Sequence, residues 1–263
     1  MVTLPLAFAS CARTEDSPAL TSNINACLSP ILLSHAAGVA SSSVSHYDIF
    51  IYEDNEVMSL DSYCRADGGS ISLEAASTSG NKIGVVVANI PDDKFTYNDI
   101  LSYQTLCDMV QDYAEEDPAH PVMCGSVHFT AGSRQPVRVK LEPLLCRIRI
   151  RSLRVSFDER PYKGLKLEDA CCYLINVNGR CPVFGTEPSN PSEIINYGAY
   201  DPYGSQRCRH PEMLRSEYLA GAQLYCYPSL HGDSSVPGQG TTKLVIEGKV
   251  AGVTYYYPVV VGE

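Results

Sequence analysis

The stretch VRVKLEPLLCRIRIRSLRVSF, from Val137 to Phe157, constrains the fold more than any other part of the chain. Apolar residues alternate with charged or polar ones at Val137, Val139 and Leu141. They do so again at Cys146, Ile148 and Ile150, and at Leu153, Val155 and Phe157. A period of two is the pattern of a half-buried β-strand. The phase slips at Glu142-Pro143 and at Arg151-Ser152, and a one-residue slip turns every following side chain to the opposite face. Pro143 has no N–H to give a ladder, so a strand should end there. The first slip therefore marks the close of one β-unit and the opening of a second at Cys146. The second slip reads as a bulge, or as a crossing between the sheets of the second unit.

The flanking sequence repeats the theme. HYDIFIYE alternates, with Tyr47, Ile49 and Ile51 opposite Phe50 and Tyr52, and Glu53-Asp54-Asn55 is turn chemistry. Strands are predicted at Met58–Tyr63, Ser70–Ala75 and Lys82–Asn89, separated by RADGG and STSGN. IGVVVAN is almost continuously apolar, as a strand covered on both faces should be. VMCGSVHFTAG and PVRVKLE form a further pair. Downstream, Asn178-Gly179 stands between apolar runs and predicts a hairpin, and TTKLVIEGKVAGVTYYYPVVV predicts another about Ala251-Gly252. Residues 185–217 are rich in Pro, Gly, Ser, Asn and Tyr and read as a long surface loop. With 263 residues, 17 Tyr and no Trp, the chain is read as mainly β, with β-sandwiches at 37–145 and 146–263.

One helix interrupts the strands. In TYNDILSYQTLCDMVQDYAEED, Ile100, Tyr103, Leu106, Val110 and Tyr113 recur at three- and four-residue steps, predicting a helix over 98–116. Thr96 or Asn98 caps its start, and Asp99 suits the positive end of its dipole. Leu106 and Val110 should pack into the first sandwich. Asp108, Asp112, Glu115 and Glu116 read as its solvated face.

The start, MVTLPLAFASCARTEDS, is an apolar run from Val2 to Ala9, small residues, and then Cys11 before a polar stretch. It reads as the end of a bacterial lipoprotein signal, with Cys11 the lipidation site and the rest of the signal upstream. The alternative is a buried apolar segment, since no Lys or Arg precedes the run and it is far too short to span a bilayer. Residues 12–36 are a Ser/Pro/Ala-rich tether leading into a first strand around Pro30 to Ser34. Ten further Cys show no compact disulfide spacing. They read as mostly buried thiols, with Cys171, Cys172 and Cys181 the place for a bridge.

Catalytic signatures are sparse: the sequence contains no G-x-S-x-G, P-loop or H-E-x-x-H. Cys208-x-His210 lacks a second ligand pair, so no metal or other cofactor is assigned. Asp67 and Asp233 are turn formers. Arg147, Arg149 and Arg151 form a basic ridge read as solvated or paired with Glu residues. A net charge of −10 argues against a nucleic-acid partner.

Over residues 44–263 the chain resembles the Bacteroidales fimbrillins, subunits of the type V pilus. The resemblance rests on the order and spacing of VVVANIP followed by a helix, PVMCGSV, VRVKLEPLLCRIRI and TTKLVIEGKVAGVTYYYPVVV. It implies two tandem transthyretin-like β-sandwiches, the first carrying the helix. It also implies export through the periplasm, an outer-membrane anchor through lipid on Cys11, and display on the cell surface for adhesion to host or bacterial ligands. Assembly with other pilus subunits is implied to run by strand exchange, a neighbour's strand replacing a removed N-terminal one. Tyr255, Tyr256, Tyr257, Val259, Val260 and Val261 are then the assembly edge, an unpaired sheet edge being a template for an incoming strand. No Arg lies between Arg13 and Arg65, where the family's shaft subunits are cut, so the resemblance implies an anchor or capping subunit or another protease. The family continues past YYYPVVV, so the sequence reads as truncated at its end. The competing expectation is a glycan-binding or nutrient-capture lipoprotein using Tyr197, Tyr200 and Tyr203. No enzyme activity is expected.

Overall fold

A computed structural model describes residues 27–36, 43–133, 135–184, 193–197, 208–228 and 241–261. The chain is mainly β, and its described residues divide into two compact units. One lies within Met1–Met109 and Ala119–Pro143, the other within Val110–Pro118 and Leu144–Glu263.

The first unit begins with β1 (Cys27–His35), β2 (His46–Glu53), β3 (Leu60–Asp67), β4 (Ser72–Ser77) and β5 (Gly80–Ala88). After a connection containing a short helix, α1 (Tyr103–Cys107), the chain runs through β6 (Val110–Asp112) of the second unit. It then returns as β7 (Met123–Ala131) and β8 (Val137–Pro143). The hydrogen-bonded order is β3-β2-β5-β7-β8-β1-β4. The ladder between β7 and β8 covers only Met123↔Pro143 and Cys124↔Glu142, and there the sheet folds over on itself. Gly125 makes the fold possible, because a Cβ built on it would lie 2.2 Å from the Lys140 carbonyl oxygen. The two layers enclose one core. Ile31, Leu33, Leu73, Ala75, Val137, Val139 and Leu141 face Tyr47, Ile49, Ile51, Val86, Ala88 and Met123.

The alternation read in HYDIFIYE is thus realised, and its second face is covered as well. Phe50 stacks edge-on against Phe95, and Tyr52 against Tyr103, with the Tyr52 hydroxyl donating to the Ile100 carbonyl at 2.9 Å. The connection after β5 therefore roofs the outer face of the sheet, which is why Val85, Val86 and Val87 are all fully buried.

A continuous helix over 98–116 does not form. Residues 97–100 are a 3-10 turn, α1 spans five residues, Val110–Asp112 is a strand, and 113–115 is a second 3-10 turn. Between the first two pieces Ser102 is extended and bridges Ser59. The Leu60 N–H donates to Leu101 at 2.9 Å, and the Tyr103 N–H to Met58 at 3.0 Å. Those tertiary hydrogen bonds take the backbone groups that a helix would have used. Leu106 is buried as expected, but Val110 is 39% exposed and belongs to a ladder with Arg180–Pro182.

The second unit contains β9 (Cys146–Arg149), β10 (Glu168–Ile175), β11 (Val177–Asn178), β12 (Arg180–Pro182) and β13 (Ile194–Ile195). A single helical turn, α2 (Pro211–Leu214), precedes β14 (Arg215–Ser216), β15 (Gln223–Cys226), β16 (Lys243–Val250) and β17 (Val253–Val260). One four-stranded sheet has the order β14-β10-β16-β17, and β9–β15, β6–β12 and β11–β13 pair in twos. Two expectations fail here. The strand from Cys146 stops at Arg149, so Arg151–Asp158 contains neither a bulge nor a crossing, and Leu153 and Val155 are exposed. Asn178-Gly179 does not close a hairpin either, because its flanks pair with β13 on one side and β6 on the other. Gly179 is needed for proximity instead. A Cβ there would lie 3.1 Å from Ile195 Cγ1, and its own N–H donates to Glu193 at 2.8 Å.

Candidate assembly edge

The hairpin expected about Ala251-Gly252 is present. Both residues have positive φ, 51° and 79°, as the tight turn matching strand twist requires. It joins β16 to β17 in unbroken register from Lys243↔Val260 to Val250↔Val253. Among the described residues β17 has no neighbour on its far side, so it is the outer strand of the four.

Which of its backbone groups face β16 follows from one hydrogen bond. The Val261 N–H donates to the Thr242 carbonyl at 3.1 Å, and along an antiparallel ladder such pairs alternate. Val253, Tyr255, Tyr257 and Val259 therefore direct their N–H and C=O groups at β16. Thr254, Tyr256, Pro258 and Val260 direct theirs outward. Pro258 stands where its missing N–H costs the sheet nothing, the position in which an edge strand tolerates proline. The same residue leaves a gap in the row of donors that an incoming strand would meet.

The side chains divide between two faces. Tyr256 packs against Cys171, Tyr173, Ile175 and Val245. On the other face Tyr257 is 44% and Val259 51% exposed, beside partly buried Leu244 and Ile246. Tyr255 shares that face and interacts with the Tyr162 hydroxyl, which raises its pKa. Of the six predicted edge residues, five are in β17, and Val261 follows it with its N–H already committed to Thr242.

A second feature concerns strand order. β1 pairs with β4 antiparallel and with β8 parallel, so the first described strand is an inner one. It places Ile31 and Leu33 in the core at 1% and 6% exposure, each such burial stabilising by roughly 1.5–3 kcal/mol. Sequence reading located this strand but not its place between β8 and β4. The only signal was the short apolar run, which does not name its partners.

Other sequence candidates resolve differently. Cys11, Tyr200, Tyr203 and Asp233 lie outside the described residues, and Tyr197 is 66% exposed. The acidic residues read as one solvated helix face do not share a face. Arg180 pairs with Asp112 at 2.7 Å, and the largely buried Glu116 accepts the Tyr227 hydroxyl at 2.8 Å. The burial of Tyr227 itself, with the Glu116 charge beside it, pushes that hydroxyl well above the ordinary tyrosine range. Arg147 and Arg149 are exposed on β9, whereas Arg151 lies beyond it. The Cys208 thiol meets Asn196 rather than a ligand set, and among the described residues no group of three or more His, Cys, Asp or Glu is arranged to hold a metal. No disulfide joins any two of the ten described Cys, Cys171, Cys172 and Cys181 included. No helix among the described residues is long and apolar enough to cross a membrane.

No family model matches the sequence, and no curated protein matches it. Solved structures do. A fimbrilin from Porphyromonas gingivalis W83 is 14% identical, with a TM-score of 0.68 over 89% of this chain and 80% of its own. A putative cell adhesion protein from Parabacteroides distasonis is 12% identical, with a TM-score of 0.62 over 90% and 85%. The tip fimbrial protein Mfa3 from P. gingivalis is 13% identical, with a TM-score of 0.56 over 90% and 82%. These are fimbrial and adhesion proteins, not enzymes. A TM-score of 0.68 over most of both chains, beside the strand order above, gives this protein a fimbrillin-like fold.

Proposed function

We propose that the protein is a subunit or anchor of a type V pilus: a surface-exposed structural lipoprotein for cell adhesion. Lipid on Cys11 tethers it to the outer membrane, and it joins other pilus subunits by β-strand exchange. The observation that carries this reading is the place of β1. It is paired on both sides and fills the core with Ile31 and Leu33, so its removal opens a groove between β8 and β4. An extended segment from a neighbour restores both ladders and the buried side chains. The outer edge of β17, which has no neighbouring strand among the described residues, offers a second place for strand pairing.

A specific protease sequence inserted between Ala36 and Ser43 tests the exchange. Cleavage of the purified full chain is expected to release the β1 segment and yield oligomers by sedimentation and electron microscopy. A cleaved chain that stays monomeric, or that retains its β1 segment under all conditions, removes the exchange mechanism. Palmitate labelling of the protein expressed with its native leader, lost in Cys11→Ser, tests the anchor separately.

A further inference from the structure

Cys146 opens β9 and Cys226 closes β15, and they are directly opposite in that antiparallel ladder. Every other described cysteine within a ladder faces a residue that is not cysteine: Cys27 faces Ser77, Cys64 Ile49, Cys124 Val87 and Glu142, Cys171 Glu247, Cys172 Ile246 and Ser216, and Cys181 Gln111. The Ile150 N–H donates to the Ala222 carbonyl at 3.0 Å, in the same register. Alternation then makes 148 with 224, and 146 with 226, hydrogen-bonded pairs. Such pairs have Cα atoms about 5.5 Å apart with side chains on one face, inside the Cα range of about 4.4–6.8 Å that disulfides span, and Cβ atoms about 5.5 Å apart, so closing the bridge draws the two side chains in to about 3.5–4.5 Å. The two thiols also differ in access. Cys146 is exposed, whereas Cys226 is 3% exposed.

We propose that Cys146 and Cys226 are a redox pair that closes into a cross-strand disulfide between β9 and β15 by exchange with a protein or small-molecule disulfide. The exposed Cys146 thiolate attacks one sulfur of the oxidant and displaces its other sulfur as a thiolate, leaving a mixed disulfide. The Cys226 sulfur then attacks the Cys146 sulfur, and the second oxidant thiol departs. The two cysteines lose two electrons and two protons, and the oxidant disulfide is reduced to two thiols. Burial pushes both thiols up, and with the Cys146 sulfur beside it the Cys226 thiol rises to about 12. Cys226 is therefore inert towards external reagents and reacts within the pair. The bridge pins β9 to a strand far along the chain, which restrains the unfolded state most when the closed loop is long. The oxidising compartment in which this occurs rests on the export reading above; the pairing itself does not.

The test uses the purified full chain in buffers of graded oxidised-to-reduced glutathione, with free thiols alkylated before peptide mapping. The expected result is a peptide pair joining Cys146 to Cys226 that dithiothreitol separates. Thermal unfolding is expected to rise on oxidation in the native chain and not in Cys146→Ser. In Cys226→Ala, Cys146 is expected to accumulate as the mixed disulfide with glutathione. Alkylation of both residues at ratios that give Cys146 its mixed disulfide in Cys226→Ala overturns the proposal, as does a bridge from Cys146 to another cysteine. Because the oxidant is supplied, such a failure indicts the pair and leaves the export reading untouched. Absence of palmitate label from the native chain does the reverse.

Discussion

The Lys82 ammonium on β5 lies 3.0 Å from the Asp61 carboxylate on β3, two strands away, although Asp61 has no cross-strand partner of its own. Ile51 faces Ser62 and Tyr52 faces Leu60, so Asp61 is the extra residue of a bulge. A bulge re-aims the side chain it carries. Lys82 is fully buried, also pairs with Glu53, and donates to Thr78, whose own N–H donates to Asp61 at 2.8 Å. Lys82→Met leaves Asp61, 7% exposed, without its cation. The expected cost is about 3–5 kcal/mol in denaturant unfolding. Combining Lys82→Met with Asp61→Asn and Glu53→Gln is expected to recover part of that loss. A cost under about 1 kcal/mol for the single variant shows that water reaches the carboxylates.

Periodicity groups Leu106 with Val110, and the structure separates them. Leu106→Ala is expected to destabilise by roughly 2–5 kcal/mol, because the side chain is fully buried. Val110→Ala is expected to stay within about 0.5 kcal/mol, as an exposed strand position should. Equal losses from both, measured by urea unfolding, bring back the continuous helix.

Gly125 is held by backbone rather than by a yielding side chain. Gly125→Ala sets a methyl 2.2 Å from the Lys140 carbonyl oxygen and is expected to cost about 1–3 kcal/mol or more, read as a lower denaturation midpoint. Gly84→Ala meets side chains rather than backbone, the nearest being the Phe129 ring edge at 3.2 Å, and is expected to cost less. The reverse order contradicts the close approach of β7 and β8.

Pro258 interrupts the outward donors of β17. Pro258→Thr adds an N–H between those of Tyr256 and Val260, and self-association in sedimentation is expected to rise. Val259→Lys puts charge on the same strand and is expected to lower it. An unchanged association state in both variants means that this edge is not where strands add.

Sequence alone determined the strands whose pattern is local. The alternation of Tyr47 to Tyr52, the apolar run of β5, and the Ala251-Gly252 turn with β16 and β17 beside it all follow from a period of two and from the backbone freedom that a tight turn demands. Pro258 likewise marks an edge by its own chemistry. Tertiary structure decided partnership. Nothing in residues 27–35 specifies β8 and β4 as their neighbours. Nothing in Val110–Asp112 specifies a ladder with Arg180–Pro182, and Asn178-Gly179 carries a hairpin signature while its flanks pair elsewhere. The same holds for Asp61, aimed at Lys82 by a bulge, and for Cys146, brought opposite Cys226. The physical reason is that periodicity records which face of a segment is buried, whereas a backbone N–H or C=O bonds equally well to any strand that reaches it. Packing of the whole unit chooses among those strands.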